Sequence, residues 1–370
     1  MIKTTRIAYC YSSVKLDTGS PRALLQMIDS LDRARFTPVF IAMGEGPLID
    51  AMKERDVEIV HSTVSSVSLK NLFDLISAVL AKMRLLKRIS AGILHMNEPG
   101  WNTDIVLAAR LAGIPVALHL HNPYEVSRSN LNFRIARRIF LCSKAQSTTI
   151  GNFQRIEDKS VVLHNAVDTK SFARGHPIRE SIGLSANDLV IGTVAQISHR
   201  KGIDIFLDAA ERLLDANRKL KFVIVGPRAT KEEAYFRSIM ARLGQTPLKD
   251  SVIYLGSRRD IPNLFASFDI FCLATRAEPF GMVIIEAMAA GVPVVASGVG
   301  GIPEIITSRD IGRTVGSLTP DAFALALDEV LHMGVERKKL GERGRLSVLA
   351  RFDLAHMGLK LAAVYGEMLA

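Results

Sequence analysis

Short β-type runs alternate with helical stretches almost from end to end of this chain. That alternation leaves few folds open: parallel sheets, each strand returned by a helix that covers a sheet face. In the first half, RIAYCY (6–11), TPVFIAM (37–43), VEIVHS (57–62), AGILHM (91–96), IPVALHL (114–120) and RIFLCS (138–143) read as strands, with helices near 21–32, 46–54, 70–88 and 103–112. A second series runs through DLVIGTVAQ (188–196), KFVIVG (221–226), SVIYLG (251–256), DIFCLAT (269–275), PVVAS (293–297) and GRTV (312–315). Between the two series, 165–187 mixes polar, Gly and Pro residues with weak periodicity and reads as a linker. At 370 residues there is room for two such sheets. The expectation is therefore an α/β chain of two Rossmann-like domains, 1–170 and 171–353. The closing stretch, 354–370, puts Leu354, Met357, Leu361, Val364 and Met368 on one helical stripe that must pack against something.

Apolar residues make up 48% and charged residues 23%, which excludes disordered, collagen-like and coiled-coil chains. No run of about 18 uninterrupted apolar residues exists; 282–306 is broken by Glu286, Pro293 and several glycines. The apolar run from Ile7 to Tyr11 is too short for a signal-peptide core. Cys10, Cys142 and Cys272 are odd in number, far apart and inside strand-like runs, so neither a disulfide framework nor a zinc cluster is suggested. A cytoplasmic protein is expected.

The net charge is +10, and residues 1–170 hold 22 Lys+Arg against 15 Asp+Glu while 171–370 hold 25 against 22. A basic surface attracts nucleic acid, anionic lipid or phosphorylated small molecules. With 6% aromatics and no nucleic-acid motif, nucleic acid is not an expected partner. The stretches 81–90 and 132–141 interleave cations with apolar residues. They suit either a peripheral position on an anionic membrane, at its inner face, or ordinary helix faces packed on a sheet.

Several chemistries lack their signatures. No G-x-G-x-x-G follows the first strand, no G-x-x-x-x-G-K-[ST] or G-x-S-x-G occurs, and no D-x-D or His/Cys cluster offers metal ligands. The turn KLDTGSPRALL carries one glycine, Gly19, before a helix whose first amides suit a phosphate or hydroxyl. It is equally an ordinary helix opening, with Ser20 as cap and Pro21 as first helical residue.

One dense constellation remains, Arg276 to Ile306. Glu278 follows the strand DIFCLAT at its C-terminal end, where ligands of open α/β sheets bind. Phe280, Gly281 and Met282 would open the next helix and present free amides to an anion, with Glu286 about one turn further. The two carboxylates suit a sugar hydroxyl and a ribose diol. The bland alternative is that Glu278 favours the helix dipole and Glu286 is solvated, but an unpaired charge inside MVIIEAMAA would be costly.

The stretch EPFGMVIIEAMAAGVPVVAS resembles the E-x7-E signature of the family 4, or group 1, glycosyltransferases, retaining enzymes of the GT-B fold. The resemblance extends to DIFCLAT before it and GGIPEII after it, and more loosely through the N-terminal half. It implies two Rossmann-like domains with parallel sheets facing a central cleft, the acceptor on the first domain, the nucleotide sugar on the second, and a last helix, 354–370, that crosses back to the first. By the same resemblance Glu278 contacts the donor sugar, the backbone at Phe280 and Gly281 approaches the sugar and its phosphate, and Glu286 holds the ribose.

The family's phosphate grip usually reads G-R-x-x-x-x-K-G; here the aligned stretch is AQISHRKG, 195–202. Lys201 and Gly202 match, Gln196 replaces the arginine, and Arg200 either compensates or faces solvent. A lysine there meets the charge growing on a departing diphosphate. In PVALHLHNPYE, His121 stands where the family commonly has a histidine, which implies a hydrogen bond to the donor sugar; His119 reads as structural. VLHNAVDTKSF (162–172) resembles the family's linker, with Ala166 for its glycine.

The expected function is thus metal-independent, retaining transfer of a sugar from a nucleoside-diphosphate sugar to a glycan or lipid-linked acceptor in cell-surface polysaccharide or lipopolysaccharide synthesis, with no cofactor. The alternatives are a GT-B sugar-nucleotide epimerase or phosphorylase, an NAD-dependent oxidoreductase, and a catalytically silent sugar-binding subunit.

Overall fold

The computed structural model describes residues 4–16, 18–62, 72–100, 102–127, 129–215 and 220–370. Asp17 of the first turn and the first residues of the helix expected from 70 lie outside them. The chain divides into two compact units, Met1–Ala166 with Leu354–Ala370, and Val167–Asp353.

The first unit contains β1 (Thr5–Cys10), α1 (Gly19–Asp29), β2 (Phe36–Ala42), α2 (Pro47–Lys53), β3 (Glu58–His61), α3 (Leu72–Arg88), β4 (Ala91–Met96), α4 (Thr103–Leu111), β5 (Val116–Leu120), β6 (Tyr124–Glu125), α5 (Leu131–Ile135), β7 (Arg138–Leu141), β8 (Ile150–Gly151) and β9 (Ser160–Val162). Seven strands pair in the order β3-β2-β1-β4-β5-β7-β9, and β6 pairs with β8. All pairings are parallel. A parallel sheet is covered on both faces, so its central strands read as continuous apolar runs; every residue of β5 is buried. β6, β8 and β9 are too short to carry a readable period, which is why the sequence pattern misses them. α1 begins at Gly19 with Thr18 at the cap and no side-chain capping bond. Ser20 and Pro21 therefore lie inside the first turn, not at the cap and first position.

The last helix of the chain is part of this unit. Its Met357, Leu361, Val364, Tyr365 and Met368 join Ile7, Phe36 and Phe40 in one core cluster. The Tyr365 hydroxyl lies 2.7 Å from His95 Nδ1 and 3.1 Å from the Tyr9 hydroxyl. Beside them the His119 ring stacks on His121 at 4.2 Å, and neither ring nitrogen of His119 has a hydrogen-bond partner among the described residues.

The second unit contains α6 (Thr169–Ala173), β10 (Leu189–Val194), α7 (Ile203–Asp215), β11 (Leu220–Val225), α8 (Glu233–Leu243), β12 (Val252–Tyr254), α9 (Ile261–Ala266), β13 (Ile270–Leu273), α10 (Met282–Ala289), β14 (Val294–Ser297), α11 (Ile302–Ile305), β15 (Arg313–Val315), α12 (Pro320–His332) and α13 (Val335–Phe352); α14 (Leu354–Leu369) is the helix that belongs to the first unit. Its six strands are parallel in the order β12-β11-β10-β13-β14-β15. Most of 165–187 is folded rather than free. Asp168 caps α6 by accepting from the amides of Lys170 and Ser171 at 3.1 Å, and Arg179 pairs with Asp269 at 2.9 Å. Polar partners of this kind leave no periodic signal in a sequence.

Candidate active site

Each sheet grows from its first strand toward one edge and then jumps to the other side, between β1 and β4 in the first unit and between β10 and β13 in the second. At such a reversal the loops leaving the two strands diverge and open a crevice beyond their C-terminal ends. In the second unit those loops carry Lys201 and Glu278.

Lys201 Nζ donates to Glu278 Oε2, and the two side chains are 14% and 11% exposed. The loop reaches this position through Gly202, whose φ is +64° and where a Cβ would come within 1.9 Å of the Ala274 carbonyl oxygen. On the other side Gly300, at φ +54°, lets GVGG pass the Glu278 carbonyl; a Cβ there would meet that oxygen at 1.9 Å. The amide of Gly301 donates to the same carbonyl at 3.1 Å. Glu278 is therefore fixed at its backbone as well as at its carboxylate.

Arg200 does not pair with Glu278; it is exposed, as the solvent-facing alternative expects, and bonds only to backbone. Its Nη1 donates to the Ala277 carbonyl at 3.0 Å, and its own carbonyl accepts from the Arg276 amide at 2.8 Å. The two loops are further tied by a network that no motif suggests. Arg276 donates to both oxygens of Asp204 at 2.9 and 2.6 Å and to the His199 carbonyl at 2.7 Å. Tyr235 donates to Asp204 Oδ1 at 2.7 Å. Partial burial raises the Asp204 carboxyl, but the Arg276 and Tyr235 bonds outweigh it and hold the group at about 2, so this clamp stays charged at neutral pH.

Gln196 follows β10 and is half-buried, between backbone bonds that Ala195 and Ile197 make to Val225 and Pro227. Gly281, at φ +116°, stands at the cap of α10, and Met282 is its first, partly exposed residue. The Phe280 ring turns inward against Phe352, with centroids 5.6 Å apart. The Phe280 side chain is therefore not available to a ligand. Glu286 lies on the second turn of α10 at 7% exposure, so the solvated alternative is corrected: the apolar run carries this carboxylate into the interior. Among the described residues no three His, Cys, Asp or Glu side chains gather to hold a metal ion.

In the first unit the crevice between β1 and β4 holds His121, Asn97 and the start of α1. Asn97 follows β4 and is buried. Its Nδ2 donates to the Ser20 carbonyl at 3.3 Å, which leaves Oδ1 for His121 Nε2 at 2.9 Å. The carboxamide orientation thus puts the proton on Nε2 and leaves Nδ1 as the acceptor. Burial pushes His121 down to about 4, so the imidazole is neutral at pH 7. Gly19, at the first position of α1, is exposed. Asn97 was not singled out by the sequence reading; its one signal is its place directly after a strand, in HMNEPG (95–100).

A family model described as Glycosyltransferase Family 4 matches residues 18–171, and one described as Glycosyl transferases group 1 matches 176–347. The chain is 28% identical over 219 residues to a lipopolysaccharide core biosynthesis mannosyltransferase of Rhizobium meliloti, a match that spans 57% of this chain and 61% of that one. It is 25% identical over 380 residues to the UDP-Gal:alpha-D-GlcNAc-diphosphoundecaprenol alpha-1,3-galactosyltransferase of Escherichia coli, covering 95% and 94%. A solved glycosyltransferase from Rickettsia africae superimposes with a TM-score of 0.87 at 22% identity, covering 99% of each chain.

Proposed function

Because the chain belongs to the family 4, group 1 glycosyltransferases and has their GT-B fold, we propose that it moves a sugar from a nucleoside-diphosphate sugar to a glycan or lipid-linked acceptor, with retention and without a metal ion or other cofactor. The observation that carries this reading is the largely but not fully buried Lys201–Glu278 pair at the strand reversal of the second unit. An ammonium held there suits a diphosphate, and the carboxylate suits sugar hydroxyls. The amides of Phe280, Gly281 and Met282 add donors at a helix N-terminus, and Glu286 takes the ribose. Gln196 supplies hydrogen bonds without charge, and Gly19 supplies an exposed amide.

The reaction breaks the bond between the anomeric carbon and the diphosphate oxygen and forms one to the acceptor oxygen. The acceptor's hydroxyl proton passes to the leaving diphosphate on the same face. Negative charge grows on that diphosphate in an oxocarbenium-like transition state, where Lys201 and the amides hold it. His121, neutral and with Nδ1 bare, accepts a hydroxyl hydrogen of the sugar near the reacting carbon. The names of the two relatives above support cell-surface polysaccharide or lipopolysaccharide synthesis as the setting.

A thermal-shift panel of UDP, GDP, ADP, their sugar conjugates and NAD, with and without chelator, tests this. A rise with one nucleoside diphosphate that the chelator leaves unchanged is expected. A rise with NAD alone, or with nothing, overturns it; turnover without any acceptor would favour the epimerase alternative.

Among the described residues no helix is long and apolar enough to cross a membrane. Peripheral binding at an anionic inner leaflet rests on α3, though not on the residues 81–90 as such, whose Leu85, Leu86 and Ile89 are buried. One turn and more upstream, Phe73 (86% exposed), Ile76 and Leu80 share an outward stripe that continues into the exposed cations Arg84, Lys87 and Arg88. Sedimentation with phosphatidylglycerol vesicles at low salt is expected to carry the protein down, and F73S/I76S/L80S to leave it in the supernatant. Equal sedimentation of both proteins would sink the idea.

A further inference from the structure

The first unit holds a second cavity, of about 650 Å³, bounded by Val126, Phe133 and Ile156 and by Arg134, Arg155 and Lys159. It shares no lining residue with the Asn97–His121 corner. Its volume falls within the range of about 300–1,000 Å³ typical of small-molecule sites.

The walls are apolar at the base, where Val126, Phe133 and Ile156 belong to the core, and cationic at the rim. The rim is held in place. Arg155 Nη1 donates to the Val126 carbonyl at 3.2 Å, and Lys159 Nζ donates to the Arg134 carbonyl at 3.0 Å. Neither bond neutralises charge, and both leave further N–H donors of the same groups unused. The Arg134 side chain makes no hydrogen bond or ion pair with any described residue, and none of the three cations is paired with a described carboxylate. Glu157 and Asp158, their exposed acidic neighbours, stay apart from them.

Three cations around one apolar-based cavity repel one another, and a doubly or singly charged oxyanion relieves that repulsion. Guanidinium forks match the oxygens of a phosphate bidentately, and an ammonium adds a point charge. We propose that this cavity binds the phosphate group of a phosphorylated amphiphile, either a lipid headgroup or a soluble phosphate ester. The site is separate from the one proposed for sugar transfer and does not depend on it.

The test uses the full chain and titration calorimetry with glycerol 3-phosphate and inorganic phosphate. Saturable binding of glycerol 3-phosphate is expected, at least about tenfold weaker in R134A/R155A/K159A, since charge-assisted bonds are worth about that much each. R84A/K87A/R88A, which removes equal charge from α3, and K201A, which touches only the proposed donor site, are expected to bind as the unaltered protein does. Where the triple variant does not fold, R134A alone serves, because that side chain supports nothing else. Phosphatidylglycerol vesicles that compete with glycerol 3-phosphate, where phosphatidylcholine vesicles do not, identify a lipid headgroup; failure to compete identifies a soluble ester. Absence of saturable binding, equal affinity in the pocket variants, or an equal loss in the α3 variant overturns the proposal. A loss confined to K201A places the phosphate at the donor site and overturns it as well, while leaving the transfer reading intact.

Discussion

Glu278→Gln is expected to lower sugar transfer by about 10²–10³-fold while nucleoside-diphosphate binding holds or tightens. In the free protein Lys201 and Glu278 satisfy each other in a site only about one-tenth exposed. Removing the carboxylate leaves the ammonium without a counter-charge, which costs stability on the order of 3–5 kcal/mol for a fully buried pair and less here. A bound diphosphate restores that counter-charge, so the nucleoside diphosphate should raise the melting temperature more in the glutamine variant than in the unaltered protein. Lys201→Ala reverses the pattern. Glu278 then stands alone, repels the diphosphate, and both binding and transfer fall, again by about 10²–10³ in kcat. Single-turnover transfer and thermal shift on the two variants read this opposition. If K201A binds the diphosphate as well as before and keeps more than a tenth of its transfer rate, Lys201 does not serve the leaving group.

Acidification is expected to destabilise the first unit well before carboxylates titrate. Burial pushes His95 down to about 3, with the nearby His121 adding to the effect, and holds His119 well below the ordinary histidine range. In the unfolded chain both take up a proton near pH 6.5. Their folded values are depressed, so the stability they confer is fully present above pH 6.5 and is lost progressively as pH falls from there toward about 3. Each contributes a slope of about 1.4 kcal/mol per pH unit, and His121, held at about 4 by burial, adds a third, for about 4 in all. Urea denaturation between pH 7.5 and 5 measures the slope. H119F, which removes one titrating group and two unpartnered nitrogens, should lower it by about one proton; an unchanged slope in that variant would show that His119 protonates freely in the folded protein.

The alternation of strands and helices was legible because each element announces itself within its own residues, at a period of two or 3.6. The places of Glu278 after β13 and of Glu286 on α10 were legible for the same reason, since eight positions and one helix start separate them. Two- and three-residue strands such as β6, β8 and β9 were not legible, since no period fits inside them. The boundary between the two units falls inside 165–187, but the partners that Asp168 and Arg179 find there were not legible, because a polar stretch looks alike whether solvated or bonded.

What the amino-acid order determined by itself is the layered α/β architecture, the repetition of it in two units, and the motif that places the chain in its family. Tertiary structure alone decided which side chains meet. Lys201 and Glu278 are 77 positions apart, Arg276 and Asp204 are 72, His121 and Asn97 are 24, and Tyr365 and His95 are 270. Strand order, and for Tyr365 the packing of α14 on the first sheet, brings each pair within bonding distance. Local propensity acts over a few residues, whereas the protonation state of His121 and the burial of Glu286 depend on what the rest of the fold excludes from water.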